Sequence, residues 1–437
     1  MVLLKNFKNI LLIPELRKKL FFTLGLLIVT RLGCYIPVIG VNIPLLGEYM
    51  KQATSLGGLL SYLDIFSGGS LASSTLFALG ISPYITASIM MQMLGMTVPY
   101  LEQLIKEGDY GRKIINQYTR YLTLGLSIMY SLPYALYLES HNLALTPGWA
   151  FRIIFVLSLT VGAMFVMWLG EQISLFGIGN GSSMIIFSGI VSKFPEYIIK
   201  TKAMVDAGSI NIFQASLIFV IFLIITACIV FLEKGERKIP VQYARRVVGQ
   251  RVYGGQSTYI PFRINNASIM PIIFTSAVIN APLALAGLLS QKFEFIKGFV
   301  DWFGQMGIVY NVLQFFLIIA FSFFYTALIF NPEELAENIK KSGGFIPGIR
   351  PGKKTAQFFN YILTRIGLVG AIYLACLALA PNILHAFMRM PFNLSGTSLL
   401  IVVGVALETS AQIESYLIEH RYEGFLTSGR LKSRTAR

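Results

Sequence analysis

The sequence predicts an all-α integral membrane protein with ten transmembrane helices, and three observations carry the prediction. Of its 437 residues, 55% are hydrophobic and only 13% charged, a balance that does not fit a water-exposed surface. The apolar residues come as continuous runs of about twenty, the length at which a helix crosses the hydrocarbon core, and not as the alternating ten-residue segments of a membrane barrel. Lysine and arginine gather in alternate connections, as they do where those connections stay on the cytoplasmic side.

Along the chain, the first twenty residues, MVLLKNFKNILLIPELRKKL, are interrupted by charge and lack a small-residue cleavage site. They read as an amphipathic helix lying on the membrane and not as a removable signal peptide. Ten spans follow at 21–38, 74–98, 117–138, 149–171, 182–199, 211–232, 268–290, 308–330, 358–380 and 396–416, roughly half the chain, which leaves no separate soluble domain. The N-terminal segment, the connections after spans two, six and eight, and the tail hold 25 of the 36 Lys and Arg, so both termini are expected in the cytoplasm.

Four connections break the pattern. The stretch LDIFSGGSLASSTLFALGISPY (63–84) opens with an apolar segment too short to span, on the non-cytoplasmic side; non-helical backbone there must be buried in protein or line a cavity. GIGNGSS (177–183) reads most simply as a helix-stop, helix-start turn. The 233–267 loop sets seven basic residues against two acidic ones, with apolar and aromatic residues recurring among them in VQYARRVVGQRVY. That suits either plain topological bias or a protruding hairpin that docks phosphates or a carboxylate-rich partner. GIRPGKKT (348–355) is no nucleotide loop: three residues, not four, separate Gly348 from Gly352, and ENIKKSGGFIP before it is no buried strand.

Chemistry of other kinds finds little support. Cys34, Cys228 and Cys376 fall inside apolar spans without paired spacing, and His141, His385 and His420 stand singly, so neither a disulfide framework nor a metal site is indicated. Asp, Glu and His are scarce within the spans, which counts against a coupled small-solute transporter, and no histidine or aspartate lies there to serve an intramembrane hydrolase as base. Arg31, Arg120 and Arg365 read as interface anchors, and Glu171 lies at a span edge. Thr86, Gln92 and Asn280 are polar groups within spans: either hydrogen-bonding glue between helices or a seam that opens to lipid.

Together LDIFSGG, FALGISPYITASI, GRKIINQYTRY, GIGNGSSMIIFSGIV, QYARRVVGQRVYGGQST, MPIIF, SGGFIPGIRPG and GTSLLIVV resemble, in order and from the first span to the tail, the SecY family, the main subunit of the bacterial protein-conducting channel. The resemblance implies two inverted five-helix halves, 1–200 and 201–437, forming an hourglass. It implies a waist of aliphatic side chains at Ile81, Ile85, Ile186, Ile273 and Ile401, a collar that holds back water and ions by dewetting. Ser182 departs from the apolar residue that relatives often carry there, so the seal is either narrower in composition or completed by Val278. Residues 60–72, with Leu63, Ile65, Phe66, Gly68 and Gly69, resemble the plug, and Thr86, Gln92 and Asn280 fall on the two sides of the lateral gate. Arg245, Arg246 and Arg251 in one prong, and Arg350, Lys353 and Lys354 in the other, match positions that dock the ribosome or the motor ATPase SecA; Gln250 replaces one arginine of a frequent basic pair. The implied protein is a non-enzymatic, cofactor-free pore in the bacterial plasma membrane. SecE and SecG subunits, signal peptides, unfolded polypeptides and membrane lipids are its further partners.

Overall fold

The computed structural model describes residues 13–46, 68–71, 73–243, 246–248, 251–253, 257–265, 269–276, 278–279, 307–387 and 396–428. In chain order these contain α1 (Pro14–Gly33), α2 (Ser82–Thr97), α3 (Pro99–Lys106), α4 (Asp109–Ser140), α5 (Trp149–Phe176), α6 (Gly181–Val191), α7 (Phe194–Asp206) and α8 (Ile212–Lys234). Strands β1 (Glu236–Tyr243), β2 (Arg246–Val248), β3 (Arg251–Tyr253) and β4 (Ser257–Arg263) come next, followed by α9 (Ile308–Ile329), α10 (Pro332–Lys341), β5 (Gly344–Phe345), α11 (Lys353–Phe387) and α12 (Gly396–Ser428). Among the described residues, five helices are long and apolar enough to cross a membrane: α5, α8, α9, α11 and α12.

The chain packs as two compact units, Met1–Phe194 with Val405–Arg437, and Pro195–Gly404. In the first, α4 lies against α5 and α2, α5 against α6, and α1 against both α5 and α6. Small residues permit the closest approaches: a β-carbon on Gly162 of α5 would fall 2.0 Å from the Leu76 carbonyl oxygen, and one on Gly181 would fall 1.9 Å from that of Gly170. A buried file on α4, Thr119, Thr123 and Ser127, returns each hydroxyl to the carbonyl one turn back (2.9, 2.7 and 2.7 Å), so a polar face is packed without leaving a donor unsatisfied. Near the end of α4, Glu139 accepts from Arg152 Nε (2.7 Å) and from the Gly148 amide (2.8 Å). The Arg152 guanidinium, helped by that amide, holds the Glu139 carboxyl below the usual carboxylate range.

The second unit joins a helical part to a sheet. α11 packs on α9, α8 and α10, while β4, β1 and β5 form an antiparallel sheet in that order. Its core gathers Ile239, Val241, Phe262, Ala336, Ile339, Ile346 and Phe359, the last two aromatics with ring centroids 5.5 Å apart. Alternation explains β1: Ile239 and Val241 are buried and their neighbours Lys238, Pro240 and Gln242 are exposed.

Three sequence expectations need correction. The fold is not all-α, because 236–263 and 344–345 contain five short strands; ENIKKSGGFIP supplies one of them, with Gly344 buried between Ile339, Tyr243 and Val241. The second span does not begin at 74. Ser74 and Gly80 both have positive φ (44° and 55°), and the helix starts only at Ser82, where Pro83 sits in its first turn with φ preset for a helix and no N–H to lose. The fifth span is not one helix: α6 ends at Val191 and α7 begins at Phe194, because Pro195 has no amide to give the Val191 carbonyl four residues back and its ring crowds that carbonyl.

Candidate pore and docking surface

The non-helical segment ahead of α2 is tied down by protein hydrogen bonds, as its position demands. Thr75 donates both its amide and its hydroxyl to Ser70 O (3.1 Å each), Val38 N donates to Ser74 O (3.0 Å), and Leu76 N to Ile36 O (2.8 Å). Tyr134 of α4 donates to Leu71 O (2.8 Å) and shares a hydrogen bond with the Ser74 hydroxyl. Gly68 and Gly69 stand at the start of this leg with φ of 68° and 97°, and Gly68 O accepts from Arg31 Nη1 at 3.4 Å. Leu63, Ile65 and Phe66 lie outside the described residues.

Of the expected ring positions, the first unit holds three. Ile81 caps the start of α2 and is 1% exposed; it packs toward α5, where a β-carbon on Gly170 would meet its Cδ1 at 3.2 Å and that of Ile185 at 3.4 Å. Ile85, one turn on, is half-buried, and Ile186 of α6 is buried. Ser182 turns its hydroxyl onto Asn180 Oδ1 (2.6 Å), the group that caps α6. The second unit holds Ile273, in a helical stretch over 270–276, and Ile401 on α12, both buried. There Ile269, one turn before Ile273, presses on Gly404, one turn beyond Ile401, at 2.6 Å from the β-carbon that glycine lacks. The faces bearing Ile273 and Ile401 are thus side by side within that unit.

Thr86 donates to Ser82 O (3.0 Å), and Gln92 Nε2 reaches Ser88 Oγ at 3.4 Å. Both are half-buried, and Asn280 lies outside the described residues. The arginines read as anchors do more than anchor. Arg120 Nε and Nη2 grip both oxygens of Glu171 (2.9 and 2.7 Å), bridging α4 to α5, and Arg31 Nε reaches Ser188 Oγ of α6 at 3.2 Å. Arg365 stacks 4.5 Å from the Tyr361 ring centroid.

The two basic prongs form one body. β5, from the connection after α9, pairs with the end of β1, Gln242 against Phe345 and Tyr243 against Gly344, while β1 pairs along its length with β4. Sequence reasoning missed this link; its only signal was the alternation in KIPVQY and the two-residue GF between a glycine turn and a proline. Beyond the sheet, β2 and β3 make a small hairpin, with Arg246 opposite Tyr253 and Arg251 opposite Val248; Arg245 lies outside the described residues. In the other prong Gly348 and Gly352, with φ of 83° and 101°, fold an exposed hook. Thr355 Oγ1 ties it by donating to Arg350 O at 3.0 Å. Arg350 is exposed there, and Lys353 and Lys354 are exposed as the first two residues of α11. The positive end of a 35-residue helix disfavours cations, so local electrostatics opposes this placement, and an anionic partner would relieve it.

Against known proteins, the SecY family model matches residues 75–410. The chain belongs to the SecY family. SecY subunits of the protein translocase align over nearly the whole chain: that of Aquifex aeolicus is 42% identical, covering 95% of this chain and 97% of its own length, and that of Escherichia coli K12 is 41% identical, covering 96% and 95%. The SecY of Thermus thermophilus is 42% identical over 99% of this chain and all of its own. In fold, the chain is similar to a solved protein-conducting channel (TM-score 0.64, 18% identity, 91% and 92% of the two chains). Canine Sec61 in its ribosome-channel complex is likewise similar (TM-score 0.60, 18% identity, 91% and 92%). The function that goes with SecY membership is that of a protein translocase subunit, a membrane channel for polypeptide.

Proposed function

We propose that the chain is the central, pore-forming subunit of the translocase: a passive gated channel of ten spans in two five-helix halves, 1–200 and 201–437, in the bacterial plasma membrane with both termini cytoplasmic. Identity of about 40% with translocase SecY subunits over nearly full length carries the reading. Ile81, Ile85, Ile186, Ile273 and Ile401 form its apolar collar, the 60–72 segment its plug, and Thr86, Gln92 and Asn280 its lateral seam. Polar groups in that seam can exchange hydrogen bonds with a passing chain, which a purely apolar seam cannot.

Directed movement needs an energy source outside the subunit. Arg350, Lys353 and Lys354, with Arg245, Arg246 and Arg251, present cations to the ribosome or to SecA, and SecE and SecG complete the membrane complex. A related fold occurs in ribosome-bound complexes, canine Sec61 and yeast Ssh1, which supports the docking assignment. Selection between export and insertion is partition: a segment exposed to both channel and bilayer leaves sideways when its summed transfer energy is favourable, roughly −0.5 kcal/mol per leucine against about +3 kcal/mol per central charge.

The test is a reconstituted one. Vesicles containing the chain with SecE, SecG and SecA should render a secretory precursor protease-protected on ATP addition. A leucine-rich segment of about twenty residues placed in that precursor should divert it into the bilayer, and two arginines at the segment's centre should restore full passage. Identical fates for the two precursors would contradict partition, and uptake of a small solute in place of precursor would favour a transporter.

A further inference from the structure

The turn between α5 and α6 is gripped from outside. A turn of this kind ordinarily satisfies its backbone donors locally or with water. Here Ile178 N donates to Thr23 Oγ1 of α1 (3.0 Å), Gly179 N to Gln412 Oε1 of α12 (2.8 Å), and Gly181 N to Ser174 Oγ of α5 (2.9 Å). Asn180 accepts from the amides of Ser182 and Ser183 (3.1 and 3.3 Å), so the local cap is already complete without the two distant acceptors. One turn beyond Gln412, Tyr416 accepts from Lys19 Nζ at 2.9 Å, which joins α12 to α1 directly. One turn before it, the Thr409 hydroxyl, which donates to Val405 O (2.7 Å), lies 3.5 Å from Met184 Sδ of α6.

What hangs from this turn is α6, a helix of 11 residues, too short to be stable by itself, so its position is set by what holds it. α1 holds it at both ends, through Thr23 at the turn and Arg31 at Ser188. Ile186 lies between these points.

We propose that Gln412 and Thr23 are positioning residues for the pore: their side-chain oxygens fix the 177–181 turn, and through it set the depth and rotation of α6 and the place of Ile186 in the collar. Load on the end of α12 beyond Gln412 then reaches the collar through a single hydrogen-bonded turn. The inference rests on the reading of Ile186 as a collar residue.

The experiment compares Gln412→Leu and Thr23→Val, which remove the acceptors, with Gln412→Glu, which keeps one at the same reach. The readouts are resting ion conductance of the purified complex in planar bilayers and cross-linking of a stalled precursor to a cysteine at position 186. Each acceptor-less variant should raise resting conductance about two- to tenfold, the range expected for loss of one neutral hydrogen bond from the closed state. Gln412→Glu should match the parent, and the double variant should leak no more than the leakier single one, because both act on one turn. Thr23→Val is nearly isosteric and keeps the assay informative if Gln412→Leu fails to fold. Unchanged conductance in the acceptor-less variants, or a Gln412→Glu channel as leaky as Gln412→Leu, overturns the proposal. If position 186 in the otherwise parental channel fails to cross-link, the collar reading fails and takes this inference with it; normal cross-linking with unchanged conductance defeats this inference alone.

Discussion

Arg120 shows how a charge is held on the flank of a long helix. Its guanidinium meets the Glu171 carboxylate in two parallel hydrogen bonds, the fork geometry that gives arginine both strength and direction. Only 17% of the Glu171 side chain is exposed, so removing the cation strands a largely buried carboxylate. We expect Arg120→Ala to destabilise the purified protein by about 1–3 kcal/mol, the range for leaving such a group unsatisfied, and the Arg120→Glu, Glu171→Arg exchange to recover much of it. Thermal unfolding in detergent measures both; an unchanged midpoint in the alanine variant would show the pair to be dispensable. The sequence displayed the two charges but not their meeting, since positions 51 residues apart on separate helices carry no mutual signal.

At the scale of elements, the hook 348–355 and the sheet share one solution. The hook's two positive-φ glycines turn the chain sharply, and the sheet fixes where it emerges, because β5 is hydrogen-bonded to β1 and α10 packs on both β5 and α11. Arg350 is therefore presented from a braced loop, and reversing its charge should leave the body intact. We predict that Arg350→Glu inserts and assembles normally yet lowers precursor transport at least about tenfold, as loss of a desolvated charge pair does at protein interfaces. Unimpaired transport in reconstituted vesicles would defeat the docking role.

Long helices were legible here because α8, α9 and α12 begin within a residue of the apolar runs that announce them. The breaks were less so. Ser74 and Gly80 turn the start of the second span away from helix through local φ values that hydropathy does not register, and Pro195 divides the fifth at a point where apolar character continues. Strands β2 and β3 fall on the hairpin that VQYARRVVGQRVY offered as one alternative, and β5 is too short for alternation to become a pattern. Strands β1 and β4, eight and seven residues long, are each interrupted by a proline, Pro240 and Pro261, that argues against a strand.

For the whole molecule, the five isoleucines proposed as a collar divide between the two compact units, three in one and two in the other. One packs Ile81 near Gly170 and Ile185 and holds Ile186 on a short, externally gripped helix; the other sets the Ile273 and Ile401 faces side by side. The identities of these isoleucines came from resemblance, because a single isoleucine within a span looks the same whether it faces lipid, protein or a pore. Burial agrees with a place in protein for Ile81, Ile186, Ile273 and Ile401, the most exposed of which, Ile273, is 7% exposed. A secretory chain arrested midway, probed by single cysteines at the five positions, tests the central claim most directly. Cross-links from all five to one short stretch of the arrested chain are the predicted result, and cross-links to none of them, with reaction toward lipid-soluble reagents instead, would contradict it.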